Sequence, residues 1–241
     1  MNSIRVSEHF YSLQGEGKTA GIPAIFIRLQ ACNLMCGGIG TEKDGKLHNG
    51  ATWRCDTLDV WIKGTKYSVQ EFTDILLEEY SIPLKQECHI VFTGGEPLMQ
   101  QKAIIDIINL LKHAGYHNYI EIETNGTIIP KPDLDSLVDL YNVSPKLANS
   151  GVEKNKRFKS KVLNFFINKN SIFKFVISNE ENWKEISLMM LPTKMIYLMP
   201  NAEDKEELYS NHELVSETCK REGVNFTTRL QIVLWDKTTG V

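Results

Sequence analysis

His89-Ile-Val-Phe-Thr93-Gly94-Gly95-Glu96-Pro97 is followed by a helical pattern over residues 100–114 and a strand-like run over 119–123. This stretch decides the fold. A short apolar run rich in β-branched and aromatic residues, bounded by paired glycines, reads as a buried strand ending in a turn. In the segment behind it, Ile104, Ile105, Ile107, Ile108 and Leu111 make one broad apolar face, and Gly115 is a helix-stop residue. Strand, turn, helix and strand in this order favour parallel neighbours. The same alternation extends both ways. Strands are expected over 4–10, 24–29, 139–143, 172–177 and 195–199, and helices over 69–80, 181–190 and 204–221. The expectation is an α/β chain, one domain over 1–241, with a mainly parallel sheet that is open or curled into part of a barrel.

The bulk properties narrow the function. With 241 residues, 42% hydrophobic and 24% charged, the chain can bury a sizeable core as an ordinary soluble globule. A net charge of −3 gives no global pull toward nucleic acid or an anionic membrane. The start, Met1-Asn-Ser-Ile-Arg-Val-Ser-Glu-His-Phe10, carries no signal-like apolar stretch, and no segment reaches membrane-spanning length. Five unevenly spread cysteines argue against a disulfide framework and point to the cytoplasm.

Chemistry in parallel sheets gathers at the carboxyl ends of the strands. Five polar or glycine-rich segments fall there: the cysteine loop, Thr93–Pro97, Glu123-Thr-Asn-Gly126, Ser144-Pro-Lys146 and Met199-Pro-Asn201. Cys32-Asn-Leu-Met-Cys36 follows the strand Ala24-Ile-Phe-Ile-Arg-Leu29, and Cys55 arrives eighteen residues later. Three thiolates can hold three irons of a cubane cluster and leave the fourth open to a small ligand, where a plain electron-transfer cluster uses four. Zinc is the alternative, with His48 as fourth ligand, although structural zinc sites favour two close knuckles. Free structural thiols are a third possibility. Cys88 and Cys219 read as structural, one opening a buried strand and the other inside an amphipathic helix. Residues 37–54, with Gly37, Gly38, Gly40, Gly45 and Gly50, show no period and read as a loop. Residues 146–161 are basic and polar and read as a solvated connection.

Taken together, the three cysteines and Gly-Gly-Glu-Pro resemble the radical S-adenosylmethionine superfamily. The segments Phe10-Tyr-Ser-Leu-Gln-Gly-Glu-Gly17, Gly21-Ile-Pro-Ala-Ile-Phe-Ile-Arg-Leu29, Cys55-Asp-Thr57, Thr93-Gly-Gly-Glu-Pro-Leu98, Glu123-Thr-Asn-Gly126 and Ser144-Pro-Lys146 resemble the 7-carboxy-7-deazaguanine synthase family, in family order. The resemblance implies a partial, incomplete TIM-like barrel of mainly parallel strands with outer helices. It implies a [4Fe–4S] cluster on Cys32, Cys36 and Cys55, with S-adenosylmethionine on its open iron. Arg54, Asp56, Gly94, Gly95, Glu96, Glu123, Asn125, Ser144, Pro145 and Lys146 would contact that cofactor. It further implies Mg²⁺ on Thr57, and a pterin substrate, 6-carboxy-5,6,7,8-tetrahydropterin, bound by Leu13, Gln14, Gly15, Glu16, Arg28, Thr93, Gln231 and the Val241 carboxylate.

The residue types suit those roles. Arg28 offers a bidentate fork for a carboxylate. Gln14 and Glu16 can read a donor–acceptor edge, and a single Thr suffices where substrate and water complete the Mg²⁺ shell. The implied reaction is reductive cleavage of S-adenosylmethionine to a radical that abstracts hydrogen from C6, then ring contraction and loss of ammonia. A flavodoxin-like or other low-potential reductant and a homodimer are implied as well. The closing segment Thr228-Arg-Leu-Gln-Ile-Val-Leu-Trp-Asp236 resembles the family's last strand, with Trp235 in the core or a dimer contact. Two rivals remain: an activase of a glycyl-radical enzyme, and a zinc-stabilised nucleic-acid module, which the acidic balance disfavours. The chain departs from the superfamily pattern in one place, with eighteen residues between the second and third cysteines where two are usual. Closing that longer loop costs about 1 kcal/mol more than a short one.

Overall fold

The computed structural model describes residues 2–41, 46–238 and 240. Its centre is a nine-stranded sheet: β1 (Ser3–Leu13), β2 (Pro23–Leu29), β3 (Thr65–Ser68), β4 (His89–Gly94), β5 (Ile120–Thr124), β6 (Leu140–Val143), β7 (Ser171–Ile177), β8 (Ile196–Pro200) and β9 (Asn225–Phe226), in the order β3-β1-β2-β4-β5-β6-β7-β8-β9. From β2 to β9 every neighbour pair is parallel, while β1 runs antiparallel to both β2 and β3. Each parallel strand is added on the same side as the one before. That winding builds a barrel wall and differs from a doubly wound sheet, whose order reverses.

The two faces of the wall differ in chemistry. Ile25, Ile27, Leu29, Ile90, Phe92, Ile122, Phe173, Phe175 and Ile177 share one continuous apolar core with the helices. Those helices are α1 (Val69–Glu79), α2 (Gln101–His113), α3 (Ser160–Ile167), α4 (Glu180–Ser187) and α5 (Lys205–Glu222). Each fully buried Phe or Ile there contributes about 1.5–3 kcal/mol of transfer free energy. The alternate residues face inward. Ala24, Phe26 and Val91 form a small apolar plug with Phe10, and Thr93, Glu121, Asn142 and Lys174 lie buried on the same side of their strands. Period-two alternation therefore places the polar set inside the curl.

Local signals fix the helix ends. Ser68 and Glu71 close a reciprocal capping box on α1, and Asp204 accepts from Glu207 N–H at 2.9 Å to start α5. Gly115 and Gly223 take positive φ (92° and 66°) just past α2 and α5, the position where glycine ends a helix without strain. No helix among the described residues is long and apolar enough to cross a membrane.

Two expectations need correction. The closing segment over 228–236 is not a strand: Leu230–Trp235 is a short helix, α6. The free edge of β8 is already taken by β9, so the following backbone folds onto itself, with Ile232 and Val233 N–H both donating to Arg229 O. Residues 146–161 are more than a solvated connection. Arg157 is 5% exposed and donates to Val152 O, Lys146 O and, at 2.5 Å, Glu185. The described parts of 37–54 form a loop, as expected, and that loop is docked. Gly37 N–H donates to Ser150 O and Thr52 N–H to Asn149 O, both at 2.9 Å.

Behind the rim, the wholly buried Glu96 latches two turns together. It accepts from Leu98 N–H (3.0 Å), Asn125 N–H (2.8 Å) and the Thr124 hydroxyl (2.9 and 3.0 Å), joining the turn after β4 to the turn after β5. Burial raises its pKa from 4.5 to about 7 although all these bonds pull the other way. The folded state therefore holds this proton more tightly than the unfolded chain. Its contribution is complete below pH 4.5 and is lost as pH climbs through about 7. Glu96→Gln should abolish that pH slope and, by turning an amide NH₂ toward donors, cost about 1–3 kcal/mol. Urea denaturation at a series of pH values checks both; a retained slope would assign it to another group.

Candidate active site

The inward row of polar side chains opens at the carboxyl ends of the strands into a cavity of about 470 Å³. Strand register sets its wall. Arg28 lies opposite Thr93, Glu123 opposite Asn142, and Lys174 on β7 opposite Tyr197. Cys32, Cys36 and Cys55 all line the same cavity.

The thiols are placed by backbone geometry. Gly95 N–H donates to Leu29 O (3.0 Å) and Glu96 N–H to Ala31 O (2.9 Å), so the pairing of β2 with β4 continues past both strands into the Cys32 loop. Only glycine tolerates this approach. A Cβ on Gly95 would lie 1.9 Å from Ala31 O, and one on Gly94, at φ 113°, 2.3 Å from Leu29 N. Cys55 returns beside Cys36 through its own N–H, which donates to Cys36 O at 3.2 Å. The eighteen intervening residues thus leave and rejoin the site at one point.

Donors already face the sulfurs. Leu34 N–H and Asn125 Nδ2 point at Cys32 Sγ (3.5 and 3.8 Å), the Trp61 indole N–H points at Cys55 Sγ (3.5 Å), and the Thr57 hydroxyl lies 3.5 Å from the same sulfur. Such donors stabilise sulfur that carries negative charge, as in an iron–sulfur cluster. Among the described residues no group of three His, Cys, Asp or Glu is arranged to hold a single metal ion. A zinc ion gathers its thiolates at about 2.3 Å, whereas a cubane keeps each sulfur on a separate iron. The residues present fit a cluster. Burial pushes the Cys32 thiol up to about 11 and Cys36 to about 12, so binding a metal on them would have to displace protons.

The same cavity holds a buried charge network. Glu16 meets Lys174 Nζ at 2.5 Å, Gln231 Nε2 at 2.7 Å and Arg229 Nε at 3.2 Å. Burial disfavours its charge, yet the two cations win and hold the carboxyl far below the ordinary range. Lys174 stays an ammonium for the reciprocal reason: burial is outweighed by Glu16 and Glu123. Glu123 also accepts from the Thr93 hydroxyl (2.7 Å) and Gln14 Nε2 (3.2 Å). Arg28 has Nε on Glu8 at 2.7 Å and its guanidinium 5.5 Å from the Phe10 ring centre. Gln231 Oε1 and Asn142 Oδ1 are buried acceptors with no hydrogen-bond partner among the described residues.

Leu13, Gln14, Gly15, Glu16, Arg28, Thr93 and Gln231 all line the cavity, as do Arg54, Asp56, Thr57, Gly94, Gly95, Glu123, Asn125, Ser144 and Lys146. Arg54 also pairs with Asp59 at 2.6 Å. Glu96 sits behind the wall as the latch described above, and Pro145 is not among the lining residues. Val241 lies outside the described residues. Sequence reading missed Lys174, Asn142, Trp53 and Arg229, which also line the cavity. Lys174 had a signal, being the lone charge in Ser171-Ile-Phe-Lys-Phe-Val-Ile177. Arg229 had none, because its partners are far apart in sequence.

A singly wound, open barrel with three cysteines and a Gly-Gly turn converging at its carboxyl-end rim defines a radical S-adenosylmethionine enzyme, a class that works with that cofactor and a [4Fe–4S] cluster. No family model matches the chain. It is 33% identical to 7-carboxy-7-deazaguanine synthase of Pyrobaculum aerophilum, over 98% of this chain and 97% of that one. It is 29% identical to the Halobacterium salinarum enzyme of the same name, over 97% and 91%. The fold is that of the crystal structure of QueE from Escherichia coli (TM-score 0.63, 24% identity, 95% of this chain and 94% of that chain). Streptococcus suis SuiB shares it more distantly (TM-score 0.50, 15% identity, 74% and 46%). The chain belongs to the 7-carboxy-7-deazaguanine synthase family.

Two outcomes follow from the thiol geometry. Because two buried thiols must ionise, iron and sulfide bound per chain under limiting iron should rise between about pH 6.5 and 8.5; a flat profile would mean that ligation is not coupled to their deprotonation. Gly95→Ala should displace the Cys32 loop and lower cluster content at least severalfold, since backbone must move to admit the methyl; iron and sulfide analysis of anaerobic protein reads it, and full occupancy would refute the contact argument.

Proposed function

We propose that this chain converts 6-carboxy-5,6,7,8-tetrahydropterin to 7-carboxy-7-deazaguanine with loss of ammonia, in 7-deazapurine biosynthesis of the queuosine type. The observation that carries the substrate is the set of acceptors lining the cavity that the thiols also line. The Glu16 and Glu123 carboxylates suit a ligand edge built of N–H and NH₂ donors, as the aminopyrimidinone ring of a pterin is. Arg28, braced by Glu8, supplies a guanidinium for the substrate carboxylate.

When bound, the cluster and S-adenosylmethionine supply the radical that takes hydrogen from the substrate carbon. The protein's own work is position and field. Glu16 and Lys174 each favour the charged form of the other against the cost of burial. They give a fixed electrostatic frame that needs no reorganisation during ring contraction. Gly94, Gly95, Asn125, Ser144 and Lys146 line the cavity together with the thiols and would hold the cofactor there. Lys146 lies 5.8 Å from the ring centre of Trp53, another lining residue.

The reading extends to parts carried by residue chemistry and resemblance. Thr57, directly after Asp56, offers a hydroxyl to Mg²⁺ shared with substrate oxygens. A low-potential donor of the flavodoxin type reduces the cluster, the enzyme works in the cytoplasm as a homodimer, and the chain functions as one domain with an insertion over 37–54.

The test is anaerobic turnover. Reconstituted protein given the pterin, S-adenosylmethionine, Mg²⁺ and reductant should form the deazapurine chromophore and release one ammonia per product. A fully loaded protein that leaves the pterin unchanged would overturn the assignment. Omitting Mg²⁺ should lower kcat/KM by roughly tenfold or more; an unchanged rate would remove Thr57 from the site.

A further inference from the structure

The barrel wall is open. Among the described residues β1 pairs only with β2 and β3, and β9 only with β8, so no ladder joins the first strand to the last. At the rim, the loop after β1 is instead tied to the tail after β9. Leu230 N–H donates to Gly15 O (2.9 Å), Gly17 N–H to the Thr227 hydroxyl (2.8 Å), and Gln231 Nε2 to Glu16 (2.7 Å). Arg229 sits at this junction with its side chain 13% exposed. Its guanidinium spans three segments: Nε to Glu16 at 3.2 Å, Nη1 to Ala202 O after β8 at 2.5 Å, and Nη2 to Asp56, the residue after Cys55.

Asp56 is otherwise placed by its own neighbourhood, since Cys55 N–H returns to Cys36 O and Leu58 N–H to Cys55 O. Those bonds fix the cysteine segment to itself and do not relate it to Glu16. Arg229 does. A lysine in its place would present one ammonium point and could not face Glu16, Ala202 O and Asp56 in three fixed directions, as a planar guanidinium can. At its Glu16 end the contact is removed from water, both side chains being largely buried, whereas Asp56 at the other end is 53% exposed, so it is the geometry of the fork more than the energy of that second ion pair that ties the segments.

We propose that Arg229 is a positioning residue. It couples the substrate-facing Glu16 to the Cys55–Asp56–Thr57 segment, closing the open barrel at its active end and keeping substrate wall and cofactor loop in one register. The role of Glu16 in this statement rests on the function proposed above. With the coupling intact, hydrogen abstraction meets a correctly placed substrate carbon. When it is broken, the cofactor is cleaved without product.

Hydrogen–deuterium exchange on unloaded protein reads the coupling without substrate or cluster. Arg229→Gln should raise amide exchange over both 14–17 and 54–58 and leave α2 unchanged. Asp56→Asn, which breaks the bridge from its other end, should also raise exchange over 14–17, and the double variant should add little to either. In loaded enzyme, Arg229→Gln should raise KM for the pterin by roughly tenfold or more, the loss expected for buried charge-assisted hydrogen bonds. It should also increase 5′-deoxyadenosine formed per product, and Arg229→Lys should recover part of both. Should Arg229→Gln not fold, Arg229→Lys and Asp56→Asn carry the test alone. Exchange changes confined to the tail, or unchanged KM and product ratio in every variant, overturn the proposal. Wild-type protein that shows the coupling in exchange yet leaves the pterin untouched would sink the functional reading and spare the coupling.

Discussion

Two backbone hydrogen bonds beyond the ends of β2 and β4, Gly95 N–H to Leu29 O and Glu96 N–H to Ala31 O, are the constraint on which the rest of the site depends. They force the first cysteine loop against the Gly-Gly turn at a separation no side chain survives. From there the placement propagates. Glu96, fixed by that turn, accepts from Thr124 and Asn125, and Asn125 in turn directs its amide toward Cys32. Ala31 takes φ 76°, a left-handed conformation unusual for a residue with a Cβ, at the centre of this contact. Strain of that kind persists where surrounding bonds over-determine the backbone, and here those bonds are the ones that set the thiols.

The wall that holds Glu16 is organised by charge rather than by backbone. Burying Glu16, Lys174 and Arg229 together is poor economy for stability, because removing each ion from water costs several kcal/mol before pairing returns it. Apolar residues of similar volume would hold the barrel at least as well. What the ionic set supplies is orientation: acceptors and donors whose directions are fixed before a ligand arrives. Gln231 Oε1, buried without a hydrogen-bond partner among the described residues, packs against the Gly15 backbone instead. Gly15 has no side chain because a Cβ there would fall 1.8 Å from that oxygen. Glycine in the Leu-Gln-Gly-Glu run therefore makes room for a tail residue more than two hundred positions away.

This explains what could and could not be read from the chain. Strands β4 and β5 and helix α2 were legible because their apolar periodicity is local and their ends carry Gly94, Gly95 and Gly115. The thiols and the rim turns were legible because each motif sits just after a strand, where a parallel sheet exposes its loops. The tail was not. Leu230-Gln-Ile-Val-Leu-Trp235 has strand-like composition, and only the occupation of the β8 edge by the two residues of β9 decides that it coils. Arg157 was unreadable for a similar reason. A basic run looks solvated until Glu185, on a different helix, turns one of its cations inward. Lys174 shows the middle case: a single charge in an apolar strand announces a buried partner but does not name it.

The long gap between Cys36 and Cys55 follows from the same separation of local and distant constraints. A cluster-binding loop must fix where its sulfurs are, not how much chain lies between them. Cys55 N–H to Cys36 O closes the excursion at its base, and His48 N–H to Gly37 O draws the described part of the loop back on itself. The outer face is then fastened to the loop after β6 through Ser150 O and Asn149 O, with Gly38 and Gly151 both needed where His48 O passes within 2.5 and 2.7 Å of where a Cβ would stand. Loop entropy grows only with the logarithm of length, so the added residues cost little once the base is set. Cys55 is therefore brought back beside Cys36 by eighteen residues as well as it would be by two, and Trp53, near the end of the excursion, gains a place on the cavity wall.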